Sequence, residues 1–132
     1  MQLNLIGEEI IGAAIEVHRT FGPGMLESTY EACLCHELRL RGLRVQNQHP
    51  VDIEYKGLVV RCAYRLDVLV EERIVLELKT VKELNEAHRA QHLTYLRAAR
   101  LPLGYLLNFS ALQMKEGVKR HTFRQFAKAD EW

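Results

Sequence analysis

The sequence predicts one mixed α/β domain: two helices, a run of strands, a third helix and a further strand. Three observations predict it. Apolar residues recur at helical spacing from Leu5 to Arg41, switch to strand spacing from Val51 to Lys79, and return to helical spacing after Asn85. The chain has 132 residues, enough for one core and too few for two. Hydrophobic residues make up 48% and charged residues 27%, which excludes a disordered, collagen-like or coiled-coil chain.

The first helix is expected from about Leu5 to Thr20. Ile6, Ile10, Ala14 and Val17 form its apolar stripe, with Glu8, Glu9, Glu16 and Arg19 mostly off it. Gly22-Pro23-Gly24 breaks the chain. The second helix is expected from Leu26 to Arg41, with Leu26, Tyr30, Cys33, Leu34 and Leu38 on one face. Gly42 stops it, and Arg39 and Arg41 suit its negative end. Val51, Ile53 and Tyr55 then alternate with Asp52 and Glu54, Lys56-Gly57 turns the chain, and Leu58, Val60 and Cys62 resume the alternation. Strands follow at Tyr64–Val70 and Ile74–Lys79. Asn85 is the expected N-cap of a third helix reaching Arg100, whose core stripe reads Ala90, Leu93 and Leu96. Leu103–Phe109 reads as a buried strand. The segment after Ser110 is basic, and residues 122–132 are assigned to no element.

The three cysteines are an odd number and make no disulfide framework or zinc pattern, so Cys33, Cys35 and Cys62 are expected as reduced thiols. The N-terminus lacks the basic and apolar regions of a secretory signal, and no apolar run approaches the roughly 20 residues of a membrane span. A cytoplasmic protein with no membrane partner is expected.

Chemistry concentrates in the hairpin Tyr64 to Lys79. A three-residue loop, Glu71 to Arg73, pairs Val70 with Ile74, Val68 with Leu76 and Leu66 with Leu78, all apolar. The other face then sets Asp67 opposite Glu77 and Arg65 opposite Lys79. A slip of one residue would mix the faces, so the pattern selects this register. Like charges directly opposite destabilise a sheet, and two adjacent carboxylates resist joint ionisation. A hard divalent cation resolves that conflict. Lys79, two residues beyond Glu77 on the same face, can orient a metal-bound water or offset transition-state charge. On the third helix, His88, Gln91 and Tyr95 share a side and offer an imidazole, an amide and a phenol to phosphate or bases. Glu27 and Tyr30 share a face of the second helix.

Gly24-Met25-Leu26-Glu27-Ser28-Thr29-Tyr30 matches the motif of the GxxExxY proteins, preceded by Gly12–Arg19 in the matching context. Tyr64–Asp67, Glu77-Leu78-Lys79 and Gln91–Leu96 follow in order. From about Ile6 to His121 the chain resembles that family, a compact branch of the PD-(D/E)xK nuclease superfamily. The resemblance implies a restriction-endonuclease-like three-layer core, a central mixed β-sheet flanked by helices. It implies that Asp67, Glu77 and Glu27 hold Mg²⁺ or Mn²⁺, with the Leu78 backbone carbonyl as a further ligand. Lys79 would position the nucleophilic water, and Gln91, Tyr95, Tyr30 and His88 would meet a nucleic-acid substrate, DNA or RNA. Leu66 stands where such proteins often carry proline. The alternatives are a catalytically silent nucleic-acid-binding module or a protein-interaction module, and a homodimer or a protein partner is compatible with either.

The formal charge of +1 hides an asymmetry. Residues 1–86 carry 10 bases and 14 acids, whereas residues 87–129 carry eight bases and the single acid Glu116. A basic flank beside an acidic metal site suits a phosphate backbone.

Overall fold

Apolar stripes on consecutive helices need a surface to bury against, and the strands that follow supply it. A computed structural model describes residues 1–132. Helices α1 (Leu3–Phe21) and α2 (Glu27–Leu40) cover one face of a five-stranded sheet, and α3 (Glu86–Ala99) covers the other. The strands β1 (Val45–Tyr55), β2 (Leu58–Val70), β3 (Ile74–Lys79), β4 (Leu103–Asn108) and β5 (Val118–Thr122) lie in sequence order across the sheet. All neighbours are antiparallel except β3 and β4. A parallel pair needs a long crossover, and α3 provides it. This is the three-layer mixed α/β architecture expected from the sequence.

The main core joins Ile6, Ile10, Ala14 and Val17 of α1 and Tyr30, Leu34 and Leu38 of α2 to Val68, Val70, Ile74, Leu76 and Leu78 of the sheet. A smaller cluster under α3 holds Leu66, Leu69, Val75 and Leu96. The hairpin register is the one the pattern selects: Val70 opposite Ile74, Leu69 opposite Val75, Val68 opposite Leu76.

The ladder ends there: the expected pairs Leu66–Leu78, Asp67–Glu77 and Arg65–Lys79 do not form. Leu66 does not join Val68 and Leu78 on the α1–α2 face; it packs in the cluster beneath α3. β1 does the same, with Val45 against the main core and Val51 against the smaller one. Both strands reverse their facing between the pairs Asn47–Val68 and His49–Leu66, where Gln48 and Asp67 form no ladder pair. Gln48 has φ +52°, a left-handed conformation that turns the pleat over. Simple alternation assumes an unbroken pleat.

Two further elements depart from expectation. The inward residues of α3 are His92 and Leu96, while Ala90 is exposed. The His92 ring lies against Gly104, where a Cβ would stand 2.7 Å from it, and its Nδ1 is 2.7 Å from Nδ1 of His121 on β5. The tail, to which the sequence assigns no element, forms two short 3-10 turns and packs on the domain. The Asn4 N–H donates to the Trp132 carbonyl, and the Arg73 guanidinium to the Phe126 carbonyl at 2.9 Å. Arg97 stacks over Phe123, Arg100 over Phe126, and Arg120 and Arg124 over Trp132. Four of the eight bases in the basic segment therefore stack on aromatic rings of the tail.

The outer half of the β1–β2 hairpin projects beyond the sheet. Lys56 and Gly57 form its two-residue turn with φ +48° and +90°, the signs a type I′ hairpin requires. No helix is long and apolar enough to cross a membrane.

Candidate active site

Where β2 leaves β3, a side chain takes over from the ladder. The Leu78 N–H donates to Oδ2 of Asp67 at 2.9 Å. The N–H and C=O of a strand residue share one edge, so the Leu78 carbonyl points toward β2 as well. The Lys79 carbonyl, one residue on, faces β4 and accepts the Phe109 N–H at 2.9 Å. Asp67 thus sits in the opening between β2 and β3. From there its charge reaches Glu27 and Glu31 of α2, on one face of the sheet, and Glu77 and Tyr95 on the other.

Glu77 is only 5% exposed, and its Oε1 has no hydrogen-bond partner. Burial, then the carboxylate of Asp67, pushes its pKa up to about 9, while Lys79 pulls the other way. Burial raises the Glu27 carboxyl too; Asp67 adds to the rise and Lys79 opposes it. The Tyr95 hydroxyl is raised by burial and then by Glu77 and Asp67. Asp67 and Lys79 thus act on both Glu27 and Glu77, and Asp67 and Glu77 act on Tyr95. The Tyr95 ring stacks on Tyr64 at 4.3 Å, and the Tyr64 hydroxyl donates to the Tyr95 carbonyl at 2.8 Å. Burial, followed by Tyr95 and Glu77, pushes the Tyr64 hydroxyl up to about 12.

Three residues singled out in the sequence stand apart. Gln91 is exposed on α3, one turn before Tyr95. His88 is half-buried, and its Nδ1 accepts the Asn85 N–H while Asn85 accepts the His88 N–H, a reciprocal cap of α3. Tyr30 is wholly buried and stacks on Phe109 at 4.6 Å. Its hydroxyl donates to the Gly22 carbonyl and accepts the Met25 N–H. The expected substrate contact by Tyr30 is therefore corrected. Tyr30 continues the buried stripe of Leu34 and Leu38, and it secures the loop from which Glu27 starts α2.

Sequence reasoning passed over Glu31, Gln48 and Tyr64. Glu31 lies one turn after Glu27 at i,i+4, a spacing that could have revealed it. Its carboxyl accepts Nε2 of Gln48 at 2.9 Å. Burial raises its pKa, the Gln48 hydrogen bond lowers it and Asp67 raises it. No sequence signal marks Gln48, because only the fold imposes its positive φ.

No three His, Cys, Asp or Glu side chains converge as a ready metal-binding group. The donor chemistry nevertheless fits a hard divalent cation: carboxylate oxygens beside a strand carbonyl at the free edge. Glu77 supports that fit, since a buried carboxyl oxygen without a partner is costly and a cation would satisfy it.

A family model described as the PD-(D/E)XK nuclease superfamily matches residues 4–121. No curated protein and no solved structure matches the chain.

Proposed function

The chain belongs to the PD-(D/E)XK nuclease superfamily, and from that premise we propose that it is a metal-dependent nuclease hydrolysing phosphodiester bonds of DNA or RNA. Nucleases of this superfamily generally use divalent metal ions and act on nucleic acid. The observation that carries the reading is Glu77: a buried carboxyl with an orphaned oxygen, pressed against a second carboxylate and followed two residues later by a lysine.

Asp67, Glu77 and the Leu78 carbonyl would hold Mg²⁺ or Mn²⁺, with Glu27 supplying a further acid. Such an ion, when bound, lowers the pKa of its water and polarises a phosphoryl oxygen. The Lys79 ammonium orients the attacking water and offsets charge on the phosphoryl oxygens. Tyr95, held protonated by burial and then by the neighbouring acids, donates to a substrate phosphate, and Gln91 extends that contact by one turn. The ring Nε2 of His88 adds a contact at the start of α3. The Gly24–Tyr30 motif supports placement in the GxxExxY branch.

The test is cleavage of labelled DNA and RNA panels with Mg²⁺, with Mn²⁺ and with EDTA, comparing wild type with Glu77→Ala and Lys79→Ala. Metal-dependent cleavage lost in both variants supports the proposal; equal cleavage by wild type and variants marks a contaminant and sinks it. A second reading, a nucleic-acid-binding module without turnover, draws on the lack of a converged three-carboxylate group. Nucleic-acid binding with no heat of Mn²⁺ binding in calorimetry would favour it.

A further inference from the structure

The reversal at Gln48 and Asp67 decides where the Asp67 carboxylate goes. Were β2 to keep its alternation, Leu66 would lie on the Val68 face. The observed packing puts Leu66 beneath α3 and leaves Asp67 at the turnover point, turned to the Leu78 N–H. The partner strand turns over at the same place through a residue that resists it. Gln48 has a Cβ and φ +52°, a conformation that side-chain-bearing residues seldom adopt. Something must hold it there.

Two groups do. The Glu31 carboxylate on α2 accepts Nε2 of Gln48 at 2.9 Å, and the Gln48 carbonyl accepts Nη1 of Arg65 at 3.3 Å. Arg65 belongs to β2, two residues before Asp67, so this second bond ties the strands across the turnover. Glu31 ties the turnover to the helix that also carries Glu27. One helix thereby presents an acid directly to the opening and, one turn later, clamps the strand distortion facing Asp67.

We propose that Glu31 is a positioning residue: through Gln48 it holds the β1–β2 reversal that aims Asp67 at the cation site. It acts as a hydrogen-bond acceptor, and its charge is not what the site uses. This rests on the nuclease reading only for the identity of the cation; the strand geometry stands without it.

The test separates acceptor from charge. Glu31→Ala removes both, whereas Glu31→Gln keeps an oxygen for the Gln48 amide and removes the charge. Mn²⁺ affinity, read from the free-ion signal in electron paramagnetic resonance, should fall about 10-fold in Glu31→Ala, the scale of losing a residue that orients a metal ligand. In Glu31→Gln it should stay near wild type. At the kink itself, Gln48→Gly keeps affinity because glycine adopts the positive φ freely, and Gln48→Val loses it. A metal-free readout runs in parallel. Amide hydrogen exchange at Leu78, whose N–H rests on Asp67, should quicken in Glu31→Ala and Gln48→Val but not in Glu31→Gln.

Wild-type affinity and wild-type Leu78 exchange in Glu31→Ala would overturn the inference. So would an equal loss in Glu31→Gln and Glu31→Ala, which would make Glu31 a charge donor to the site. A protein that shows the predicted pattern of exchange and Mn²⁺ affinity yet cleaves no nucleic acid would sink the nuclease reading and uphold this one.

Discussion

Glu77→Gln in the metal-free protein probes the site at its most costly group. The Glu77 carboxyl is pushed up to about 9 from 4.5 by burial and by Asp67. The unfolded chain ionises this group above about pH 4.5, while the folded chain keeps the proton to about pH 9. The unfolded state therefore gains as pH rises between those values, and folding stability falls. At about 1.4 kcal/mol per pH unit, the penalty is about 3 kcal/mol at pH 7 and levels off near 6 kcal/mol above pH 9. Glutamine does not ionise and escapes it. The stability of Glu77→Gln minus that of wild type should thus grow by about 4 kcal/mol from about pH 5 to about pH 8. Urea unfolding followed by circular dichroism in EDTA measures it, and the subtraction cancels the histidines common to both. Mn²⁺ added at the upper pH should then stabilise wild type, because only the folded state holds the site, and leave the variant unmoved. A difference that stays flat with pH would refute the electrostatic account of Glu77.

Four further outcomes are expected. Asp67→Asn should lower the pKa of Glu77, Glu27 and Tyr95 together, since Asp67 raises all three; carbon-13 titration of the carboxyls and of the tyrosine ring would reveal it, and unmoved values would count against Asp67 as the shared neighbour. Lys79→Met should cut cleavage by on the order of 100-fold while circular dichroism stays that of wild type, and the Glu77 titration should move higher still. Gly104→Ala should destabilise by about 1–3 kcal/mol in urea, because its Cβ would meet the His92 ring at 2.7 Å and Leu96 at 3.0 Å. His92, pushed down to about 3 by burial and then by His121, stays neutral in the fold while the unfolded chain takes a proton below about pH 6.5. Wild type should accordingly lose about 2 kcal/mol between neutral pH and pH 5 from this group, and His92→Leu should flatten that loss.

Local patterns made much of the fold legible. The loop Glu71–Arg73 and its register followed from the apolar pairs, and Asn85 capped α3 where its side chain predicted a helix start. β5 was not legible. Val118–Thr122 carries a lysine, an arginine and a histidine, and as an edge strand it shows no run of apolar residues. The first half of β1 was hidden for a related reason: Gln46, Asn47 and Gln48 are polar and exposed, and Pro50 argues against a strand unless it lies at a sheet edge, where β1 lies. Asp67, Glu77 and Lys79 stood out because the apolar pairs of the hairpin leave two acids and a lysine together on its other face. Tyr30 misled because a motif position reads alike whether its side chain meets substrate or core.

By itself, the sequence determined the order of the elements from α1 to β4 and the hairpin register over Val68–Val70 and Ile74–Leu76, since each depends on spacing along a few turns or one strand pair. The tertiary structure alone decided the reversal at Gln48, the contacts of Glu31 and Tyr64, and the use of five arginines to fasten the tail. Those depend on which distant segments meet. A positive φ, a half-filled acceptor or an aromatic face becomes a constraint only when α2, β1 and the tail have packed against the sheet.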